Sequence, residues 1–239
     1  MRTTDQAVID ACALQLWTAQ QTRVPCAPLT RENPDLTVAD AYAIQSVNVA
    51  RRMNESGLLG ARALHVGHKI GLTSLAVQQW LGVDEPDFGV LLDDMVIAEG
   101  ATARTEALLQ PRAEGEIAFV LSRDLAGPGV TGADVVRATE FVLPSIEVVD
   151  SRVADWAVKY VDTVADNASS GMFVLGTRPT RLRDVDLPLV GMTLRVNGRV
   201  VSTGAGAACL GNPVSAVAWL ANIVPAKSSC RVRSARWRR

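Results

Sequence analysis

Apolar positions recur at helical spacing twice near the N-terminus and then give way to shorter, alternating runs. Val8, Cys12 and Leu16 fall on one helical face, and Thr3 with Gln6 forms a capping-box pattern at its start. A proline-bearing loop (Pro25, Pro28, Pro34) separates this helix from a second. That second helix opens at Thr37, with Asp40 three residues on, turns Ala41, Ile44 and Val47 inward, and is expected to stop near Gly57. Both helices read as packing and oligomer-contact elements, with nothing catalytic in them. Further along, Asn197-Gly198 joins two alternating runs between Met192 and Val201 as a type I′ hairpin. Asn212-Pro213 supplies the N-cap and first-turn proline of a last helix through Val214, Val217 and Leu220.

Between these ends the polar residues are harder to explain as surface. Ala113 to Leu121 (AEGEIAFVL) alternates as a strand, so Glu114 and Glu116 project from one face, about 7 Å apart. Glu147 lies inside Phe141 to Val149 (FVLPSIEVV), too apolar a stretch for a carboxylate without a purpose. Three converging carboxylates repel unless a proton or cation compensates, and an all-oxygen set suits a hard divalent ion such as magnesium or manganese. On spacing alone, Glu114 and Glu116 also fit a solvated strand face.

Leu64 to Thr73 (LHVGHKIGLT) reads as a short strand in which Gly67 and Gly71 let backbone or ligand approach closely. Lys69 in its middle is either a snorkelling surface lysine or a buried functional one. Ser74 caps a short helix with Val77, Trp80 and Leu81, and the turn-rich loop Asp84 to Gly89 presents Asp87, which on its own could be a turn residue. Lys159 to Gly171 (KYVDTVADNASSG) is dense in small polar groups, among them Asn167 and Ser170, and reads as a polar loop lining a cleft or lying on the surface. No G-x-S-x-G elbow accompanies it, and Gly204 to Cys209 lacks both the third glycine and the βαβ setting of a dinucleotide site.

Composition narrows the choices. With 239 residues, 48% hydrophobic and 21% charged, the chain can bury a sizeable core. A net charge of −1 gives no general pull toward nucleic acid or anionic membrane. No apolar run approaches the roughly 18 residues needed to span a bilayer, and Asp5 and Asp10 sit where a secretory signal would need an apolar core, so the expectation is cytoplasmic. Two histidines and four cysteines without a C-x-x-C pair leave carboxylates as the metal ligands.

Taken in order, GHKIGLTS, LGVDEPDFGVLLDDM, QPRAEGEIAFVL, LPSIEVVDSR, DTVADNASSG and GAGAACLGNPVSAVAWLAN resemble the 2-keto-4-pentenoate hydratases. These belong to the fumarylacetoacetate hydrolase superfamily, and the resemblance runs from the N-terminal helices to about Asn222. It implies an α+β fold, a mixed β-roll or sandwich with N-terminal helices packing on it. The corresponding divisions are an N-terminal helical region (1–62), a catalytic β core (63–224) and a basic tail (225–239). It further implies a divalent metal, Mg2+ or Mn2+, on Glu114, Glu116 and Glu147, with Lys69, Asp87 and Ser170 in the active site and Lys69 pushed toward its neutral form. The implied partners are a small 2-hydroxydienoate substrate, other copies of the chain in a homo-oligomer, and neighbouring pathway enzymes.

Two alternatives accompany that reading. One is a 2-oxo-3-hexenedioate decarboxylase on the same scaffold, for which Arg104, Arg112, Arg152 and Lys159 are candidate partners of a second substrate carboxylate. The other is a truncated, non-catalytic member. Its motive is the tail from Pro225, which carries six cations and no acid where related enzymes continue with further strands.

Overall fold

The computed structural model of the chain describes residues 4–54 and 62–224. Thr3, Gly57 and the tail from Pro225 lie outside the described residues. In chain order the elements are α1 (Gln6–Thr22), α2 (Leu29–Glu32), α3 (Val38–Asn54), β1 (His65–Gly71), α4 (Leu75–Leu81), β2 (Asp87–Leu92), β3 (Val96–Ile97) and β4 (Arg112–Leu121). There follow α5 (Gly132–Ala138), β5 (Thr139–Val149), α6 (Tyr160–Ala165), β6 (Ser170–Leu175), β7 (Gly191–Val196), β8 (Arg199–Ala205) and α7 (Pro213–Ile223). The result is an α+β fold. Among the described residues the strands form three hydrogen-bonded units: the pair β1-β2, the mixed sheet β3-β6-β5-β4, and the hairpin β7-β8.

The helical ends follow their capping chemistry. Asp5 is the N-cap of α1 and accepts from the Ala7 N–H at 3.0 Å. Thr37 and Asp40 cap α3 reciprocally, with Asp40 Oδ2 accepting from both the Thr37 N–H and its hydroxyl. Asn212 caps α7 through the Val214 N–H, with Pro213 in the first turn. Ser74 holds the N-cap position of α4, but its side chain makes no capping bond and Val77 is 39% exposed. At the hairpin tip Asn197 and Gly198 both have positive φ (50° and 77°), as a type I′ turn requires.

Among the described residues, three apolar clusters knit the elements together. Ile9, Cys12 and Leu16 of α1 meet Ala41 and Ile44 of α3 and Val164 of α6. Leu121, Val135 and Ala138 pack on Val217 and Leu220 of α7. Val49 of α3 packs with Val90, Leu92, Met95 and Phe173 beneath the β2 and β6 strands. Gln45, nearly fully buried on α3, donates to the carbonyls of Phe88 and Val164 at 3.0 Å each. It satisfies two backbone acceptors that would otherwise be stranded where β2 meets α6.

Two expectations change at this level. Asp87 is not on a loop but is the first residue of β2, and Lys159 to Gly171 is largely the helix α6 followed by a tight turn. Most of the polar residues that suggested a loop are consumed internally, the Ser170 hydroxyl excepted. Asp162 is fully buried and accepts from the Thr30 N–H and hydroxyl and from the Lys159 N–H.

His68 generates a prediction of its own. Its ring nitrogens are both sealed from solvent without a hydrogen-bond partner, edge-on to Phe88 at 5.9 Å. Burial, with a smaller push from His65, lowers its pKa from 6.5 to about 3. Between those values the unfolded chain takes up a proton that the folded chain refuses, so stability falls as the pH is lowered through that window. By about pH 5 the loss is about 2 kcal/mol, roughly 4–8 °C in Tm for a domain of this size. His68→Phe should therefore shrink the Tm drop between about pH 7.5 and about pH 5 by that amount. An unchanged drop would show that the folded chain accommodates the proton.

Candidate functional site

The site is assembled where the β1-β2 pair meets the four-stranded sheet. On β4 and β5 the register sets Glu114 directly opposite Glu147 and Glu116 opposite Ser145. Directly opposed side chains share a face with Cβ atoms about 5 Å apart, an arrangement in which like charges destabilise a sheet. One ligand oxygen from each of Glu114, Glu116 and Glu147 lies within 4.8 Å of the others. Glu147 is buried, whereas Glu114 and Glu116 are exposed at the mouth.

The electrostatics record the crowding. Although Glu116 is exposed as a whole residue, its carboxylate is crowded by protein, and that loss of water, then Glu147 and Glu114, push it up to about 7 against the opposing pull of Lys69. Burial likewise raises Glu147, with Lys69 opposing. The buried Oε1 of Glu147 has no hydrogen-bond partner. Three acidic groups of this kind, all hard oxygen donors with one atom unpaired, fit a divalent cation of the magnesium class, which Glu114, Glu116 and Glu147 would hold.

Across the gap, β1 and β2 pair antiparallel with Lys69 opposite Gly89 and Gly71 opposite Asp87. Each charged side chain therefore faces a glycine. A Cβ on Gly71 would collide with the Asp87 carboxylate and come within 3.3 Å of Lys69 Nζ. A Cβ on Gly89 would collide with the Asn167 carbonyl and stand 2.7 Å from Ser170 Oγ. Gly67, by contrast, has nothing within 4 Å of such a Cβ, so the close approach expected at both glycines of β1 is made at Gly71.

Lys69 Nζ lies 3.3 Å from Glu147 Oε2, with both side chains about nine-tenths buried. Burial favours the neutral amine, but Glu147, Asp87 and Glu114 together outweigh it and raise the pKa above the usual lysine value. The expected push toward a neutral lysine is tied to a cation on Glu114 and Glu147, whose charge would offset the carboxylates that here favour the ammonium form. Asp87 moves the other way from an ordinary aspartate: burial raises its pKa, with Lys69 opposing. Its Oδ1 and the Ser170 hydroxyl are both buried without a partner.

All six expected residues thus border one junction. Of the four cations considered for a second substrate carboxylate, Arg152 is withdrawn into a buried ion pair with Asp166. Arg112 shares the strand face of Glu114 and stacks on Trp156 at 4.3 Å. Arg104 and Lys159 are exposed.

Two contributors have roles that the sequence alone does not show. Gly89 was visible in the DFG triplet, but its role needs the pairing partner to be known. Asn167 introduces three successive left-handed residues, Asn167, Ala168 and Ser169 (φ 55°, 50° and 53°), and no sequence signal other than the asparagine itself announces them.

Comparison with known proteins follows the same lines. The model of the fumarylacetoacetate (FAA) hydrolase C-terminal family matches residues 62–228. The chain belongs to that family. The 2-keto-4-pentenoate hydratase of Paraburkholderia xenovorans (strain LB400) is 54% identical over 212 residues, 89% of this chain and 77% of the relative. The 2-hydroxypent-2,4-dienoate hydratase of Pseudomonas putida is 52% identical over 219 residues, 91% of this chain and 96% of the relative. Among solved structures, 4-oxalocrotonate decarboxylase from Pseudomonas putida G7, complexed with magnesium and adipate, superposes with a TM-score of 0.89 at 36% identity. It covers 98% of this chain and 87% of that one. The family membership and the mixed architecture agree with the resemblance read from the motifs.

The carboxylate set makes a direct prediction. Glu116→Gln removes a charged oxygen that no neutral neighbour can replace, and Mn2+ affinity measured by calorimetry should fall roughly tenfold or more. Unchanged affinity would remove Glu116 from the ligand set.

Proposed function

We propose that the protein is a metal-dependent hydratase that converts 2-hydroxypenta-2,4-dienoate (2-keto-4-pentenoate) to 4-hydroxy-2-oxopentanoate, a step of meta-cleavage degradation of aromatic compounds. The observation that carries this reading is the facing of Lys69 and Asp87 toward three converged glutamates across a junction between two sheets. Relatives named as hydratases, about half identical along most of the chain, support the substrate class.

A 2-hydroxy-2,4-dienoate presents a carboxylate next to an enol oxygen. A bound Mg2+ or Mn2+ supplies Lewis-acid stabilisation of negative charge on those adjacent oxygens. The remaining work falls to the chain. Asp87 holds its proton more tightly than a surface aspartate, and with Lys69 it forms the proton-handling pair. That pair takes the proton of the enol hydroxyl and delivers one to the terminal carbon of the diene, leaving a double bond conjugated to the 2-oxo group. Water then adds at the fourth carbon, and its second proton passes through the same pair to the third. Ser170 offers an otherwise unpartnered hydroxyl to hold the incoming water.

A second reading, 2-oxo-3-hexenedioate decarboxylase, is favoured by the likeness to the solved 4-oxalocrotonate decarboxylase. It needs a cation for a second carboxylate, and the withdrawal of Arg152 into its ion pair argues against that residue in the role. The test is disappearance of the enol absorbance with 2-hydroxypenta-2,4-dienoate beside 2-oxo-3-hexenedioate, with and without Mg2+ or Mn2+. Metal-dependent turnover of the dienoate is expected. Carbon dioxide release from the dicarboxylate at the higher kcat/KM would replace the hydratase reading with the decarboxylase one.

The roles of the pair are tested separately. Lys69→Ala and Asp87→Asn should each lower kcat by on the order of a hundredfold while Mn2+ still binds. Near-normal turnover in either variant would return that residue to a structural part.

A further inference from the structure

We propose that Asn167 is a positioning residue that clamps the β1-β2 pair to the glutamate-bearing sheet, and so sets the placement of Lys69 and Asp87 against Glu147. The two halves of the site share no strand pairing among the described residues. Asn167 stands at the entrance to β6, in the four-stranded sheet, while Val90 belongs to β2. The Val90 N–H donates to Asn167 Oδ1 at 2.7 Å, and Asn167 Nδ2 donates to the Val90 carbonyl at 2.9 Å. A primary amide used this way copies the donor and acceptor of a neighbouring strand. It occupies the edge of β2 that β1 leaves unpaired.

The surrounding turn is built to hold that amide in place. Asn167, Ala168 and Ser169 are all left-handed, and Ala168 and Ser169 are each 2% exposed. Such a run persists where its surroundings over-determine it. The Ser169 carbonyl accepts from the Asp150 N–H at 2.7 Å, and the Ser169 N–H donates to the Asp166 carbonyl at 2.9 Å. Arg152 donates to the Ser170 carbonyl at 2.8 Å and to the Asp166 carboxylate. Gly89 sits beneath, with no side chain to push the Asn167 carbonyl or the Ser170 hydroxyl away. Lys69, one pairing partner from Gly89, therefore has its distance from the glutamates fixed through Val90 and Asn167.

A bland role is available to Asn167, since asparagine tolerates the left-handed region better than most residues. Glycine tolerates it better still. Asn167→Gly thus keeps the backbone at ease and deletes the clamp, which separates the two roles. The proposal rests on the hydratase reading for its effect on turnover, but not for its effect on structure or metal binding.

In Asn167→Gly, hydrogen exchange of the Val90 amide should accelerate by roughly tenfold or more, while amides of β4 and β5 keep their rates. Mn2+ affinity should stay within about threefold, because its proposed ligands lie on one sheet, whereas kcat should fall by roughly tenfold to a hundredfold through misplacement of the pair. Asn167→Asp keeps the shape and can still accept from the Val90 N–H but sets a carboxylate against the Val90 carbonyl; there kcat should fall with Mn2+ affinity kept, while accelerated Val90 exchange is expected of Asn167→Gly alone. Wild-type exchange at Val90 in Asn167→Gly, or wild-type kcat with the bond gone, overturns the proposal. Loss of fold or of Mn2+ binding in both variants overturns it too, by making Asn167 an ordinary structural residue. A wild-type protein inactive on the dienoate, with exchange and Mn2+ results as expected, supports the clamp and fails the hydratase reading alone.

Discussion

The contact between Lys69 and Glu147 is the constraint on which the site turns. Glu147 is forced by strand register to face Glu114, and it is too buried for water to relieve the repulsion. Lys69 arrives from a different sheet to compensate it. A buried ion pair of this sort is poor evidence of net stability, because desolvating two charges offsets most of their attraction. Its value here is specificity. A placement of the β1-β2 pair that withdrew Lys69 would take the ammonium from that carboxylate, and breaking a buried pair from one side costs about 3–5 kcal/mol.

The rest of the scaffold makes that placement reproducible. Gln45 on α3 ties the backbone of β2 to α6, and the buried Arg152–Asp166 pair fixes the turn ahead of β6. Apolar packing of Val90, Leu92 and Phe173 closes the same junction from below. Polar and apolar contacts therefore agree on one geometry, and the unpartnered oxygens of Asp87, Glu147 and Ser170 gather at the site, while the His68 ring nitrogens are a further unpartnered case, sealed against Phe88. Unsatisfied buried atoms gathered in one place are what a ligand-binding site looks like before its ligand arrives.

Much of this was legible in the residues. Helix caps at Thr37 and Asn212, the hairpin turn at Asn197-Gly198 and the alternating glutamate strand are short-range signals, and the structure keeps them. Glu147 announced itself by being acidic in an apolar run. What could not be read was pairing. Nothing local says that Glu147 opposes Glu114 rather than a neighbour, that Asp87 opens a strand, or that Gly89 lies opposite Lys69. The segment from Lys159 misled for a related reason: Asp162 and Asp166 look like surface residues until Thr30 and Arg152, distant or buried, are found to satisfy them. The sign of the Lys69 shift depended on three carboxylates whose distances no sequence supplies.

That the glutamates and the Lys69–Asp87 pair ride on separately bonded sheets has an evolutionary consequence. On the proposed roles, substitutions in β1 and β2 would bear first on proton handling and changes around β4 and β5 on the carboxylates, with the Lys69–Glu147 contact as the link between them. A scaffold so divided is open to drift between neighbouring chemistries by small steps, because an ancestor can retain its grip on a shared type of substrate while experimenting with the outcome. A hydratase-like chain and a decarboxylase of nearly the same shape, alike at only a third of their positions, are what such a history would leave behind.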